Sequence, residues 1–289
     1  MEVVVIFNGL GNQMSQYAFY LAKKKKVKKC CFMFDPLSKS SHNGSELDKL
    51  FGIKYQNGFL FFLIKFIFRL ARKRIIGNFL SLFGIHIIRE HKNYDFDSSY
   101  LEQHNGWLNF YVGGWHCEKY FHEIRQEILR CFKFPEIKES SDCLNIQYKI
   151  ENTNSVFVHI RRGDYLNQAA NSFYHYEGVA TKDYYLKAIN EIKNEVTSPV
   201  FFFFSNDIQW CRENFIGDNY FFVDCNVGKY SWRDMFLMSK CKYHITANST
   251  FSWWAAWLCD SEIQKTICPS RFFTYVETKD IYPENWHKL

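Results

Sequence analysis

The chain has 289 residues, of which 47% are hydrophobic and 23% charged, which supplies a sizeable core and excludes wholesale disorder. The formal net charge is +6, but the excess is local: six lysines lie within 21–29, and Lys65, Arg69, Arg72, Lys73 and Arg74 lie within 59–76, with no acidic residue in either stretch. Outside them the balance is acidic, so the charge describes a patch and excludes a general nucleic-acid binder.

The N-terminus runs straight into an apolar segment without the n-region and h-region of a secretory signal. Ten scattered cysteines, Cys30 and Cys31 adjacent among them, make no metal-ligand spacing, so a reducing cytoplasm with mostly free, buried thiols is expected. Residues 3–7 predict a buried strand, followed by a glycine-rich turn, a helix over about 14–29 and a second strand over 30–34. Residues 36–58 carry no clear pattern. In 59–76, Lys65, Arg69, Arg72 and Lys73 share one helical face, with Phe, Leu and Ile on the others. Two readings stand: a core helix with a solvated stripe, or an interfacial helix making peripheral contact with an anionic membrane, on the inner face of the cell membrane. The segment is too short and too charged to span a bilayer. Residues 107–149 predict a strand, a Gly113-Gly114 turn and a long helix closed by Pro135; the polar residues 138–154 hold the passage to a second domain.

From 155 onward strands and helices alternate: strands at 155–160, 200–204, 220–223, 243–246 and 265–268, helices near 182–196, 207–215, 231–241 and 250–259. This repetition implies an α/β fold with a parallel sheet covered on both faces, whose ligands bind beyond the carboxyl ends of the strands. At roughly 100–200 residues per domain the chain makes two domains, 1–150 and 151–289.

Four motifs fall at strand ends. His159-Ile160-Arg161-Arg162-Gly163-Asp164-Tyr165 follows the first strand of the second domain. Two guanidinium groups there suit a diphosphate, which arginine meets with bidentate hydrogen bonds; the bland alternative is a structural ion pair to Asp164, stronger for Arg162 than for Arg161. Asn248, Ser249, Thr250, Phe251 and Ser252 precede Trp253-Trp254 and open a helix, whose N-terminal N–H groups also suit a phosphate. The tryptophans read as packing. Asp207, in Ser205-Asn206-Asp207, carries a carboxylate suited to a guanine edge, or simply starts a helix. Gly9, Gly11, Asn12 and Gln13 follow the first strand and suggest a dinucleotide loop with Asp35 as the ribose acid, but Met14 stands where GxGxxG requires its third glycine. That makes a nicotinamide oxidoreductase a weak rival. Asp95-Phe96-Asp97 has metal-binding spacing in a polar stretch, and no Walker motif occurs.

With these motifs, together with Gly114-Trp115 and Glu118-Lys119-Tyr120-Phe121, the chain resembles glycosyltransferase family 11, the α-1,2-fucosyltransferases, in its bacterial branch, over nearly its whole length. Ser15 stands where the family usually has Phe, and Asn8 where glycine is common. The resemblance implies a GT-B fold of two Rossmann-like domains with a cleft between them, the N-terminal one on the acceptor side. It implies inverting, metal-independent transfer of fucose from GDP-β-L-fucose to a terminal β-galactoside, with no cofactor. It further implies that Arg161 binds the diphosphate and offsets the leaving-group charge, that His159 and Asp207 lie near the guanosine, that Ser249 to Ser252 hold the β-phosphate, and that the Gly9–Gln13 loop reaches the donor. The general base is open between Asp164, favoured, and Glu177. Fucosyl transfer to other positions (α-1,6 or peptide-linked) and a non-catalytic sugar-nucleotide binder are the alternatives.

Overall fold

The computed structural model describes residues 1–35, 43–163, 178–261 and 263–289. The chain divides into two compact units: Met1–Pro135 with Lys279–Ile281, and Glu136–Thr278 with Tyr282–Leu289. The division falls before the expected residue 150, because helix Ser141–Glu151 buries Cys143 and Ile150 and packs against the first strand of the second unit.

The first unit holds strands β1 (Glu2–Ile6), β2 (Cys30–Phe34), β3 (Ile85–Arg89) and β4 (Leu108–Val112), all parallel in the order β2-β1-β4-β3. β1 and β2 are buried along their whole length, as expected for apolar strands covered on both faces. Helix α1 runs Leu10–Lys26, so it begins and ends earlier than the sequence reading placed it. Leu10, Met14, Ala18 and Leu21 are buried at helical spacing, so the apolar stripe starts at Leu10 and takes most of the supposed glycine loop into the first turn. Val27 is extended and ends the helix. Three further helices are α2 (Leu47–Phe51), α3 (Phe59–Ala71) and α4 (Arg74–Leu82).

The single helix expected over 59–76 is therefore two, broken at Arg72 and Lys73. The turn is tight: a Cβ on Gly77 would collide with the Ala71 carbonyl. β3 was not foreseen; it is an edge strand with mixed burial, so its apolar signal is weak. The long helix expected after β4 shrinks to two 3-10 turns and α5 (Arg125–Cys131). Asp95 and Asp97 serve structure. Asp95 accepts from the Lys279 N–H at 2.9 Å and from Asn93 at 2.6 Å, and Asp97 caps a 3-10 turn.

The second unit holds α6 (Ser141–Glu151) and strands β5 (Asn154–Ile160), β6 (Pro199–Ser205), β7 (Tyr220–Val223), β8 (Tyr243–Ile245), β9 (Lys265–Cys268) and the short β10 (His287–Lys288). They form one parallel sheet in the order β10-β9-β8-β5-β6-β7. Helices α7 (Lys182–Glu195), α8 (Ile208–Asn214), α9 (Trp232–Ser239) and α10 (Thr250–Trp257) connect the strands. The alternation read from sequence recurs from β5 to β9, led by the apolar runs of β5, β6 and β7, while α6 and the short β10 were not foreseen. Val156, Val158, Phe201, Phe203, Ile189 and Ile192 join in its core. All ten cysteines are free, and eight are buried.

Candidate active site

The sheet order locates the candidate site. In the second unit the chain moves from β5 to β6 to β7 in one direction, then crosses back to place β8 on the other side of β5. Connections leaving β5 and β8 diverge there, and open α/β sheets bind ligands at such a switch point. The loop after β5 carries Arg161 and Arg162; the loop after β8 carries Asn248 and Ser249. Val158 and Ile245 are paired in register, so both loops leave the same sheet edge side by side. The rings of His159 and Phe251 lie 5.7 Å apart across the junction. β6 flanks β5 on its other side with Ile160 opposite Ser205, bringing Ser205-Asn206-Asp207 to the same edge.

His159 is buried, and its carbonyl accepts a hydrogen bond from the Tyr185 hydroxyl at 3.0 Å. β5 stops at Ile160, so Arg161 and Arg162 stand beyond the strand and its side-to-side alternation does not govern them. Arg162 is braced. Its Nε lies 3.2 Å from Asp207 Oδ2, its guanidinium stacks 3.8 Å over the Trp210 ring, and its backbone N–H donates to Asn206 Oδ1 at 2.9 Å. Arg162 thus forms an ion pair with Asp207, while the pair anticipated with Asp164 involves a residue outside the described ones. Asp207 also caps α8 by accepting from the Trp210 N–H at 3.3 Å. Gly163 passes so close to Asn206 that a Cβ would meet its Nδ2 at 2.8 Å. Asp164, Tyr165 and Glu177 lie outside the described residues.

Ser249 caps α10, accepting from the Phe251 N–H at 3.3 Å. Asn248 is buried and donates to the Phe272 carbonyl at 3.0 Å, which ties this loop to the one after β9. Ser252 is buried too, and its hydroxyl accepts from the Ala247 N–H at 3.2 Å, so it shapes the turn. Thr250 and Phe251 are partly exposed at the helix start, while Trp253 and Trp254 are buried packing as expected. The edge therefore brings the Arg161-Arg162 segment beside a helix N-terminus, residue types that suit a phosphate.

The first unit has its own switch point, between β1 and β4. Gln13, expected at the donor, is buried there and its amide is occupied. Nε2 donates to the Asn8 and Gly44 carbonyls at 2.7 Å each, and Oε1 accepts from the Glu46 N–H at 3.0 Å. Gly11 is buried within α1, whereas Gly9 and Asn12 are partly exposed at its start. Gln16 links the two loops: its Oε1 accepts from the Phe7 N–H at 2.9 Å and its Nε2 donates to the Gly113 carbonyl at 3.0 Å. The small Ser15 fits beside His116, with Oγ 3.0 Å from Nδ1. Asp35 pairs with Arg72 at 3.0 Å, which removes the motive for reading it as a ribose acid.

Sequence reading missed three groups. Glu90, just past β3, accepts from the Gly114 and Trp115 N–H groups at 2.7 and 2.8 Å, and burial pushes its carboxyl up to about 8. Asp234 in α9 accepts from Asn226 at 2.8 Å and is raised by burial to about 7. Buried His244 is lowered by burial to about 4 and bridges Thr266 and the Cys241 carbonyl. Asp234 directly precedes the apolar run Met235–Met238, a signal that sequence could have offered; Glu90 sits at the end of a strand that sequence did not reveal.

A model of glycosyltransferase family 11 matches residues 4–289. An α-1,2-colitosyltransferase of Escherichia coli is 34% identical, the match covering 100% of this chain and 99% of that protein. The O-antigen biosynthesis glycosyltransferase WbnK of Escherichia coli is 32% identical over 97% of this chain and 98% of its own length. A human galactoside α-(1,2)-fucosyltransferase is 30% identical over 52% of this chain and 43% of its own. Among solved structures, the fucosyltransferase NodZ from Bradyrhizobium aligns with 88% of this chain and 91% of its own, at 13% identity and a TM-score of 0.46.

Proposed function

The chain belongs to glycosyltransferase family 11, and from that premise we propose that it transfers L-fucose from GDP-β-L-fucose to the 2-hydroxyl of a terminal β-galactoside, inverting the anomeric centre without a metal. The observation that carries this reading is the meeting of the His159–Arg162 loop with the Ser249 helix terminus at one switch point. A nucleoside diphosphate matches that edge in charge and in hydrogen-bond geometry.

The acceptor oxygen attacks C1 of the fucose, its proton passes to a base, and the bond from C1 to the β-phosphate oxygen breaks, leaving its electron pair on GDP. A preorganised cation lowers the barrier by offsetting that charge. Arg161 takes the role by its position in the motif. Arg162 holds Asp207 and the α8 turn in shape around it. The base is Asp164, with Glu177 the alternative. A relative named for O-antigen biosynthesis supports a polysaccharide acceptor.

A second reading concerns the donor. Colitose is L-fucose lacking its 3-hydroxyl, and the 34% identical relative bears a colitosyltransferase name over its full length. One experiment separates the readings. Purified protein is incubated with EDTA, a panel of β-galactosides including lactose, and either GDP-fucose or GDP-colitose; GDP release is followed and the product linkage is read by NMR. An α-1,2-fucosylated product is expected. Preference for GDP-colitose moves the donor assignment, an α-1,6 product moves the linkage, and activity that EDTA abolishes overturns metal independence. Failure to bind either donor removes the proposal.

A further inference from the structure

The α3–α4 hairpin has an outer face that the transferase reading leaves unused. Ile64, Phe68 and Ala71 turn inward and bury α3 against the first sheet, whereas α4 has no fully buried side chain. On the other side Phe62, Phe66, Ile75, Phe79 and Leu82 are 51% to 85% exposed. Trp107 continues the patch, donating its Nε1–H to the Phe83 carbonyl at 2.6 Å while its ring is exposed. Among the described residues, every exposed large apolar side chain of the first unit lies on this hairpin, in the residue that ends it, or at Trp107. Patches of this kind mark interaction sites.

Charge identifies the occupant. No acidic residue occurs between Asp48 and Glu90, while Lys65, Arg69, Lys73 and Arg74 frame the apolar face. A second copy docked about a two-fold axis would set this patch against itself and oppose like charges. An anionic lipid surface supplies the opposite charge, accepts the phenylalanines between headgroups, and favours Trp at its interface. The long stems of lysine and arginine lie along apolar surface while their heads reach phosphate. The hairpin cannot cross a bilayer: among the described residues no helix is long and apolar enough, and α3 at 13 residues spans about 20 Å against a hydrocarbon core of about 30 Å.

We infer that the α3–α4 hairpin is an interfacial membrane anchor that lays the first unit on an anionic lipid bilayer through Phe62, Phe66 and Phe79, with Lys65, Arg69, Lys73 and Arg74 on the headgroups. The full chain would be sedimented with phosphatidylcholine vesicles with and without phosphatidylglycerol, at low salt and at about 0.5 M salt. Binding is expected only with phosphatidylglycerol, and at least tenfold weaker at high salt. Lys73→Gln and Arg74→Gln should each weaken it about fivefold, the equivalent of roughly 1 kcal/mol per basic residue. Phe62→Ser, Phe66→Ser and Phe79→Ser combined should cut it at least tenfold, and these positions are exposed, so GDP release should be unchanged. Absence of binding to anionic vesicles overturns the inference. If light scattering then finds a dimer that the triple variant dissolves, the face joins two copies. Binding indifferent to salt and to the phenylalanines also overturns it. The readout is partitioning, so it stands or falls apart from the donor assignment.

Discussion

The two sheets carry the same topological feature with different chemistry. At the first switch point, Gln13 and Gln16 use their amides on backbone groups, and the buried His116, which burial lowers to about 3, adds no charge. At the second, the loop that carries Arg161 and Arg162 leaves the sheet beside the one that opens the last helix, with Arg162 held by Asp207 and Trp210. The first arrangement fixes loop shape with neutral groups; the second brings charged side chains to a strand end. Under the proposed function the contrast favours the second unit for the diphosphate and leaves the first to contribute contour.

Charge makes the largest predicted difference. Arg161→Ala should lower kcat/KM for the donor by about 10²–10³, the usual loss on removing one preorganised group, with little change in Tm. Arg161→Lys should recover only part, because an ammonium lacks the planar fork. Steady-state GDP release checks both, and a loss within tenfold would mean that the charged edge is not where GDP departs. Next in size is the brace. Arg162→Ala and Asp207→Asn should each raise the donor KM about tenfold, and the double variant should be no worse than the worse single, giving a coupling of about 1.4 kcal/mol. Additive effects would show that the ion pair, at 3.2 Å, is not one unit.

Much of the second unit was legible because the apolar runs of β5, β6 and β7 alternate with helical segments, and its motifs stand where β5, β6 and β8 end. The partner of Arg162 was not legible. Asp207 lies 45 positions away, and only the pairing of β5 with β6 brings it near. The first unit was harder for physical reasons. Glycines at the start of α1 imitate a loop, although the buried stripe already begins at Leu10. The hairpin break at Arg72 and Lys73 is marked only indirectly, by Gly77 four residues on, and the exposure of its phenylalanines inverts the usual meaning of an apolar run.

A third prediction tests the neutral switch point through pH. Glu90 is raised by burial to about 8 from an ordinary value near 4.5, and Oε1 is buried without a hydrogen-bond partner. The native state therefore holds a proton that the unfolded chain releases above about 4.5. Its contribution is fully present below that value, declines as pH rises, and is lost through about 8. Glu90→Gln keeps an oxygen for the Gly114 and Trp115 N–H groups but cannot ionise. It should raise Tm at pH 9 by about 2–4 °C and leave it unchanged near pH 5. Thermal melts across that range measure it; a variant less stable at pH 9 would mean that the carboxylate is stabilised there as an anion.

The smallest effect concerns Asn8. Its φ of 64° is left-handed, a conformation that glycine adopts freely, that asparagine tolerates and that other side chains resist. Its carbonyl is held by Gln13 at 2.7 Å, so this backbone geometry sets the direction in which the chain enters α1. Asn8→Gly should leave stability within a few tenths of a kcal/mol, while Asn8→Ala should cost about 1 kcal/mol. If the first unit contributes contour, Asn8→Ala should raise the acceptor KM and spare donor binding, and Asn8→Gly should do neither. Equal loss of donor affinity in both variants would mean that the Asn8 side chain itself meets the nucleotide, and the division of labour between the two sheets would have to be redrawn.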